Sequence, residues 1–142
     1  MRKKKRIIII ILSLCIFVFL VSFKIASSKS GFVPKNIFKR NQIVYRTKEG
    51  DLLYGLHTIG RQTYYFDKET GVMQIGFIDI DDNTYYFKED GTMVKGLYRI
   101  EDDYYYFDDD GKQIKNQFKK VSMNENDQIS YFDKDGKMVT NQ

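Results

Sequence analysis

The chain contains no tryptophan, one cysteine (Cys15), one histidine (His57) and one proline (Pro34). A lone cysteine excludes an internal disulfide framework, which is compatible with an extracellular protein that does not rely on disulfides. With one histidine, and the cysteine inside an apolar run, no Ser-His-Asp, Cys-His or histidine-based metal set can be assembled. Carboxylate pairs of the kind glycosidases use are plentiful, but they recur at turn positions and suit hairpin chemistry, not one catalytic cleft. An EF-type calcium loop is missing too. Around Asp108-Asp109-Asp110-Gly111, Tyr106 and Gln117 stand at the loop's first and twelfth positions, where it carries acids. The chain therefore reads as non-enzymatic, with no cofactor and no metal.

Basic charge is scarce where a nucleic-acid binder would need it. The net charge of +4 hides a division: residues 1–50 carry +11, residues 51–115 carry −7, and residues 116–142 balance. A nucleic-acid surface needs basic residues on the folded body, so that partner is excluded. Only one long apolar run exists, Ile7 to Phe23, seventeen residues behind the basic MRKKKR start. This charge asymmetry places the amino terminus in the cytoplasm and the remainder outside. The length falls between a signal-peptide core and a spanning helix of about 20 residues. Residues 1–24 are thus either a signal anchor, contacting the membrane through residues 7–23, or a signal cleaved after about Ser28 near Ala26-Ser27-Ser28. Residues 25–42, polar and basic, read as a linker.

What is abundant is aromatic: eleven tyrosines and eleven phenylalanines. They recur with a period near twenty residues, the mark of a repeat architecture. Residues 55–75, 76–95, 96–115 and 116–142 are successive units, and residues 43–54 match the second half of one, a capping half repeat. Counting the opening glycine as position zero, Ile59, Ile80 and Ile100 fall at position four. Tyr64-Tyr65-Phe66, Tyr85-Tyr86-Phe87 and Tyr105-Tyr106-Phe107 fall at positions nine to eleven. Strand alternation sends positions nine and eleven to one face and eight and ten to the other. Asp-Gly pairs such as Asp90-Gly91 predict tight turns, and Met73, Met93 and Met138, two residues after such glycines, predict filler between stacked hairpins. In the last unit Tyr131-Phe132 arrives five residues late, which predicts a longer polar hairpin loop over Ser122 to Asn126. The expected fold is all-β: a solenoid of stacked β-hairpins preceded by one N-terminal hydrophobic helix. No unit can bury its faces alone, so each must lean on the next.

The pattern G-x-x-x-I, Tyr-Tyr-Phe, D-G-x-M and a new glycine, over Ile43 to Gln142, resembles the cell-wall-binding repeat superfamily. That superfamily includes choline-binding repeats, glucan-binding repeats and the short repeats of clostridial toxins. Leu or Phe at position one, with no tryptophan, is more similar to the glucan-binding and toxin types. The resemblance implies a hairpin solenoid that attaches to envelope glycan. In choline-binding repeats, aromatics at positions one and eight of one unit and ten of the next enclose the trimethylammonium group. The corresponding sets here are Leu56, Thr63 and Tyr86; Phe77, Thr84 and Tyr106; Leu97, Tyr104 and Tyr131. None has three rings. At about 0.5–2 kcal/mol per ring, the missing rings weaken choline binding roughly ten- to a thousandfold.

The expected function is a non-catalytic, exported module binding cell-wall polysaccharide or teichoic acid, with choline a weaker partner. Its candidate ligand residues are Phe77, Tyr65, Tyr86, Tyr104, Tyr106 and Tyr131, while Tyr64, Tyr85, Tyr105 and the four phenylalanines at position eleven are core. The alternative is a membrane-tethered scaffold whose repeat surface meets another protein. The expected location is the cell membrane, single-pass with the repeats outside, or the cell wall if the signal is cleaved. The sequence leaves the oligomeric state open.

Overall fold

A computed structural model describes residues 30–36, 38, 41–123 and 126–139. The helix expected over residues 7–23, and with it the anchor or signal, lies outside them. Among the described residues no helix is long and apolar enough to cross a membrane. The elements are β1 (Gly31–Pro34), β2 (Ile43–Arg46), β3 (Gly55–Ile59), β4 (Gln62–Phe66), β5 (Gly76–Ile80), β6 (Asn83–Phe87), β7 (Gly96–Ile100), β8 (Asp103–Phe107), β9 (Gln117–Met123) and β10 (Asn126–Phe132). Consecutive strands pair antiparallel into five two-stranded sheets. The chain divides into two compact units, Met1–Leu53 and Tyr54–Gln142.

In the first unit, β1 pairs with β2, and the Phe32 ring meets Tyr45 edge-on at 5.1 Å. This corrects two sequence readings. Gly31–Pro34 lies in the stretch read as linker, yet it is a strand. Residues 43–54 are therefore not a half repeat on their own but the second strand and turn of a complete hairpin. Pro34 is no obstacle, because it ends an edge strand, where a missing N–H costs little. The turn after β2 is closed by the Thr47 amide donating to the Asp51 carbonyl at 2.8 Å and by the Arg46 guanidinium donating to the Gly50 carbonyl at 2.8 Å.

The second unit contains four hairpins in one register. Gly76 stands opposite Phe87, Phe77 opposite Tyr86 and Ile78 opposite Tyr85, and the neighbouring units repeat this pairing. Opposite residues share a face. One face, here the leading face, therefore carries positions one, three, eight and ten, and the trailing face carries two, four, nine and eleven. The leading face of each hairpin packs on the trailing face of the next. Tyr65 lies in one buried cluster with Ile80, Tyr85 and Phe87 of the following unit. Tyr86 packs against Tyr105, Phe107, Tyr98 and Ile100 in the same way. Phe66, Phe87, Phe107 and Phe132 are fully buried, each contributing about 1.5–3 kcal/mol of apolar burial.

Two-residue turns join the strands of the first three repeats. Asp81 and Asp82 both hold positive φ, 47° and 65°, as a type I′ hairpin turn requires. The Asp-Gly turns play a different part. Each carries the chain back to a single bridge, Phe87 to Met93 and Phe107 to Gln113, and there the units interlock. The Met93 amide donates to the Thr63 carbonyl of the preceding unit at 2.8 Å. A Cβ added to Gly111 of the following unit would fall 2.6 Å from Met93 Sδ. Met93 thus ties three consecutive units together. Gln113 repeats the arrangement, its amide donating to the Thr84 carbonyl at 2.8 Å and its side chain to the Asp135 carbonyl at 3.0 Å.

The last hairpin departs from the expected loop. Gln117 pairs with Phe132 and Phe118 with Tyr131, so Gln117, not Asn116, occupies the glycine slot. The other repeat strands have five residues, but β9 and β10 have seven each. The five late residues are therefore Asn116 plus two further cross-strand pairs. Polar side chains were compatible with strand because they pair across it: Ser122 donates to Asp127, and Lys120 lies 2.6 Å from Asp127.

Two outcomes test this interlock. Gly91→Ala would place a Cβ 2.3 Å from Met73 Sδ, whereas Gly76, also at positive φ, has nothing within 4 Å. Left-handed backbone costs both alanines about 1–2 kcal/mol, and displacing Met73 should add about 1–3 kcal/mol at Gly91. Denaturant titration should show that excess, and Met73→Ala should abolish it. Second, the Asp90 carboxylate accepts from the Thr92 hydroxyl at 2.6 Å and amide at 2.9 Å. These bonds hold it below the ordinary carboxylate value. Their contribution is complete above that ordinary value and is lost as pH falls through the lowered folded one. Thr92→Val should flatten this part of the acid limb in a stability–pH profile.

Candidate ligand-binding seams

Each junction of leading and trailing faces is a seam of rings. Position ten of one hairpin meets the position-eleven phenylalanine of the next: Tyr65 with Phe87 at 6.1 Å, Tyr86 with Phe107 at 6.3 Å and Tyr106 with Phe132 at 6.1 Å. Those separations suit tilted aromatic packing, so position ten is partly structural in every unit.

The seam between the β5–β6 and β7–β8 hairpins opens as two grooves. In one, Phe77 stands edge-on to Tyr86 at 4.8 Å and to Tyr105 at 5.2 Å, and remains 44% exposed. Asp79, Thr84, Gln113, Lys115, Asp135 and Lys137 complete a concavity of about 260 Å³. Its polar groups are held in place. The Thr84 hydroxyl donates to Asp79 at 2.6 Å and accepts from Lys115 Nζ at 2.9 Å, while Lys137 donates to Asp103 at 2.5 Å. The resulting charge assistance raises the Lys137 pKa. The groove therefore combines two rings with six polar side chains, several of them fixed by hydrogen bonds.

The second groove, about 570 Å³, lies around Tyr86 and Tyr98, with Lys88, Glu89, Asp90, Arg99, Ile100 and Glu101. The two rings are 6.0 Å apart and 39° from parallel. Burial pushes the Tyr86 phenol above its ordinary value, and Tyr98, Glu89 and Glu101 add to the shift. Lys88 Nζ sits 5.5 Å from the Tyr98 ring centroid. In the following seam, Lys119 Nζ sits 5.0 Å from the Tyr106 ring.

The six sequence candidates are distributed unevenly. Phe77 lines the first groove, whereas Tyr86 lines the second and touches the first only through its edge-on contact with Phe77. Tyr65 is only 9% exposed, its ring covered by the next hairpin, so it offers no open face. The expected set of Phe77, Thr84 and Tyr106 is not what assembles. Leading faces meet trailing faces, so the ring brought to Phe77 and Thr84 is Tyr105 at position nine. Tyr106 contacts Phe132 and Lys119 instead. Tyr104 is half-buried, and its carbonyl accepts the Met138 amide at 2.8 Å. Tyr131 meets Phe118 at 5.0 Å beside Ile129, Met138 and Val139, around a concavity of about 460 Å³. Tyr105 lies in the core, as expected, at 8% exposure, with its ring against Phe77. Tyr98 was passed over, and knowing that opposite faces meet would have found it. Among the described residues no group of three metal-ligating side chains comes together.

The choline-binding repeat family matches residues 94–142, and a cell wall binding repeat family matches residues 75–93. Residues 75–142 thus resemble choline-binding and cell wall binding repeats. No curated protein matches the chain. Among solved structures, choline-binding protein F of Streptococcus pneumoniae, in complex with ipratropium, aligns with a TM-score of 0.64 and 20% identity. That alignment covers 79% of this chain and 32% of that one. CbpJ of the same organism gives 0.64 and 22% over 78% of this chain and 35% of that one. The modular autolysin LytC, also from S. pneumoniae and bound to a synthetic peptidoglycan ligand, gives 0.58 and 22% over 77% and 24%. At such identities the likeness is one of fold, and this chain spans about a third or less of each relative's length.

A tyrosine-ring NMR titration should place Tyr86 above the ordinary tyrosine value. Glu89→Gln and Glu101→Gln should each lower it only slightly, because burial is the larger cause. Complete reversion in either variant would show that charge, not burial, sets the groove's character.

Proposed function

We propose that this chain is a non-catalytic, exported module that attaches to cell-envelope glycan, polysaccharide or teichoic acid, through the seams of its hairpin stack. The observation that carries this reading is the Phe77 groove: an exposed ring backed by Tyr86 and Tyr105 and rimmed by Asp79, Thr84, Gln113 and Lys115. Sugars present apolar C–H faces and hydroxyl edges together, and such a groove offers a partner for each. The choline-binding repeat match supports the same reading. Choline-binding protein F has been crystallised in the presence of a tetrasaccharide-pentapeptide peptidoglycan analogue, and the Cpl-1 endolysin in complex with one. Here glycan is the principal partner and choline a weaker one. Export is supported by the basic start and the uncharged run from Ile7 to Phe23, which acts either as a single-pass anchor with the repeats outside or as a cleaved signal.

A second reading, a scaffold that meets another protein, is favoured by the leading face of the last hairpin. There Phe118, Ile129 and Val139 are 70%, 74% and 50% exposed.

Sedimentation of the full chain with purified Gram-positive cell walls separates the two. Retention that soluble wall polysaccharide or choline releases supports the first reading, and no retention supports the second. Phe77→Ala should weaken retention about two- to tenfold, the worth of one aromatic contact, without loss of the circular dichroism of the fold. Unchanged retention would remove the groove from the binding surface.

A further inference from the structure

The three seams between the four repeats are filled differently. In the first, Ile78 and Ile80 pack with Tyr65 and close it. In the second, Lys88 at position twelve reaches the Tyr98 ring. In the third, Lys119 at position two reaches the Tyr106 ring. The two lysines come from different strands, β6's end and β9, yet each brings its ammonium onto an aromatic face. Both lysines are half-buried, as expected for stems laid along apolar surface. Both ammonium groups stand within the roughly 6 Å over which a ring quadrupole attracts a cation. By contrast, Lys115 and Lys137 at the Phe77 groove are engaged by Thr84 and Asp103.

We propose that Lys88 and Lys119 are resident cations that occupy the ring faces of their seams and exclude quaternary ammonium ligands from them. A ring face holds one cation at a time, and a trimethylammonium group arriving there must displace the lysine or meet its charge. Glu89, Glu101 and Asp90 around the Tyr86–Tyr98 groove would otherwise favour an incoming cation. Wall attachment is thereby directed to the Phe77 groove. For its biological meaning the inference rests on the wall-binding reading, but it is tested without walls.

The test is titration of the full chain with choline chloride and with tetramethylammonium, by calorimetry and tyrosine-ring NMR. Lys88→Met and Lys119→Met keep the stem and drop the charge. Each should tighten binding about two- to thirtyfold, the range of one cation–π contact, with shifts at Tyr98 or Tyr106 respectively. Lys→Arg variants should remain as closed as the parent. Should a methionine variant lose its fold by circular dichroism, Lys→Gln at the same position takes its place. Equal affinity in parent and neutralised variants, or equal gain in the arginine variants, overturns the proposal, as does parent binding that shifts Tyr98 and Tyr106. Failure of wall retention with these gains intact would remove the wall-binding reading and leave the lysine gating standing.

Discussion

A two-stranded hairpin has two faces and no interior, and that geometric fact governs the repeat unit of this protein. Alone, such a hairpin is marginal in water. Stacking leading face on trailing face sets the position-ten ring of one hairpin on the position-eleven phenylalanine of the next, and Phe87, Phe107 and Phe132 are fully removed from water. The backbone takes part as well. Met93, Gln113 and Met138 each donate an amide to a carbonyl one unit back. Met73, Met93 and Gln113 each lay a side chain over the turn glycine one unit ahead. Stability is therefore built from nearest-neighbour terms, and a change at one turn is felt in the adjacent units.

The same stacking makes the grooves. A seam that buries position eleven cannot also bury the ends of the strands, because successive hairpins meet over only part of their faces. Phe77 stays partly exposed beside Tyr105, and Tyr86 meets Tyr98 at the border of a carboxylate-lined cleft. Structural and candidate ligand roles are thus divided within one ring, not between residues. Tyr86 packs on Phe107 with one part and lines a groove with another. The seams are not equivalent, because position two is Ile78, then Tyr98, then Lys119. At that position Ile78 closes its seam with hydrocarbon, Tyr98 supplies a second ring and Lys119 brings a charge, while the charge in the second seam comes from Lys88 at position twelve.

The period, the hairpin in each unit, the alternation of positions nine and eleven against eight and ten, and the filler role of Met73 and Met93 were all legible in the sequence. Each is a local property: strand alternation and turn chemistry act over a few residues, and the repeat displays them several times. Less local features were read wrongly. The strand Gly31–Pro34 has no repeat-like pattern and exists because β2 supplies a partner. The extra residues of the last unit look like a polar loop but extend the strands, since cross-strand pairs such as Ser122 with Asp127 satisfy them.

That this chain makes aromatic hairpins with a twenty-residue period follows from its residues alone, because side-chain alternation and Asp-Gly turn preferences need no distant partner. Which rings meet is a matter of packing between hairpins. Whether Phe77 finds Tyr105 or Tyr106 depends on which face of one hairpin lies against which face of the next. That choice is made by packing between units some twenty residues apart and leaves no mark in the spacing.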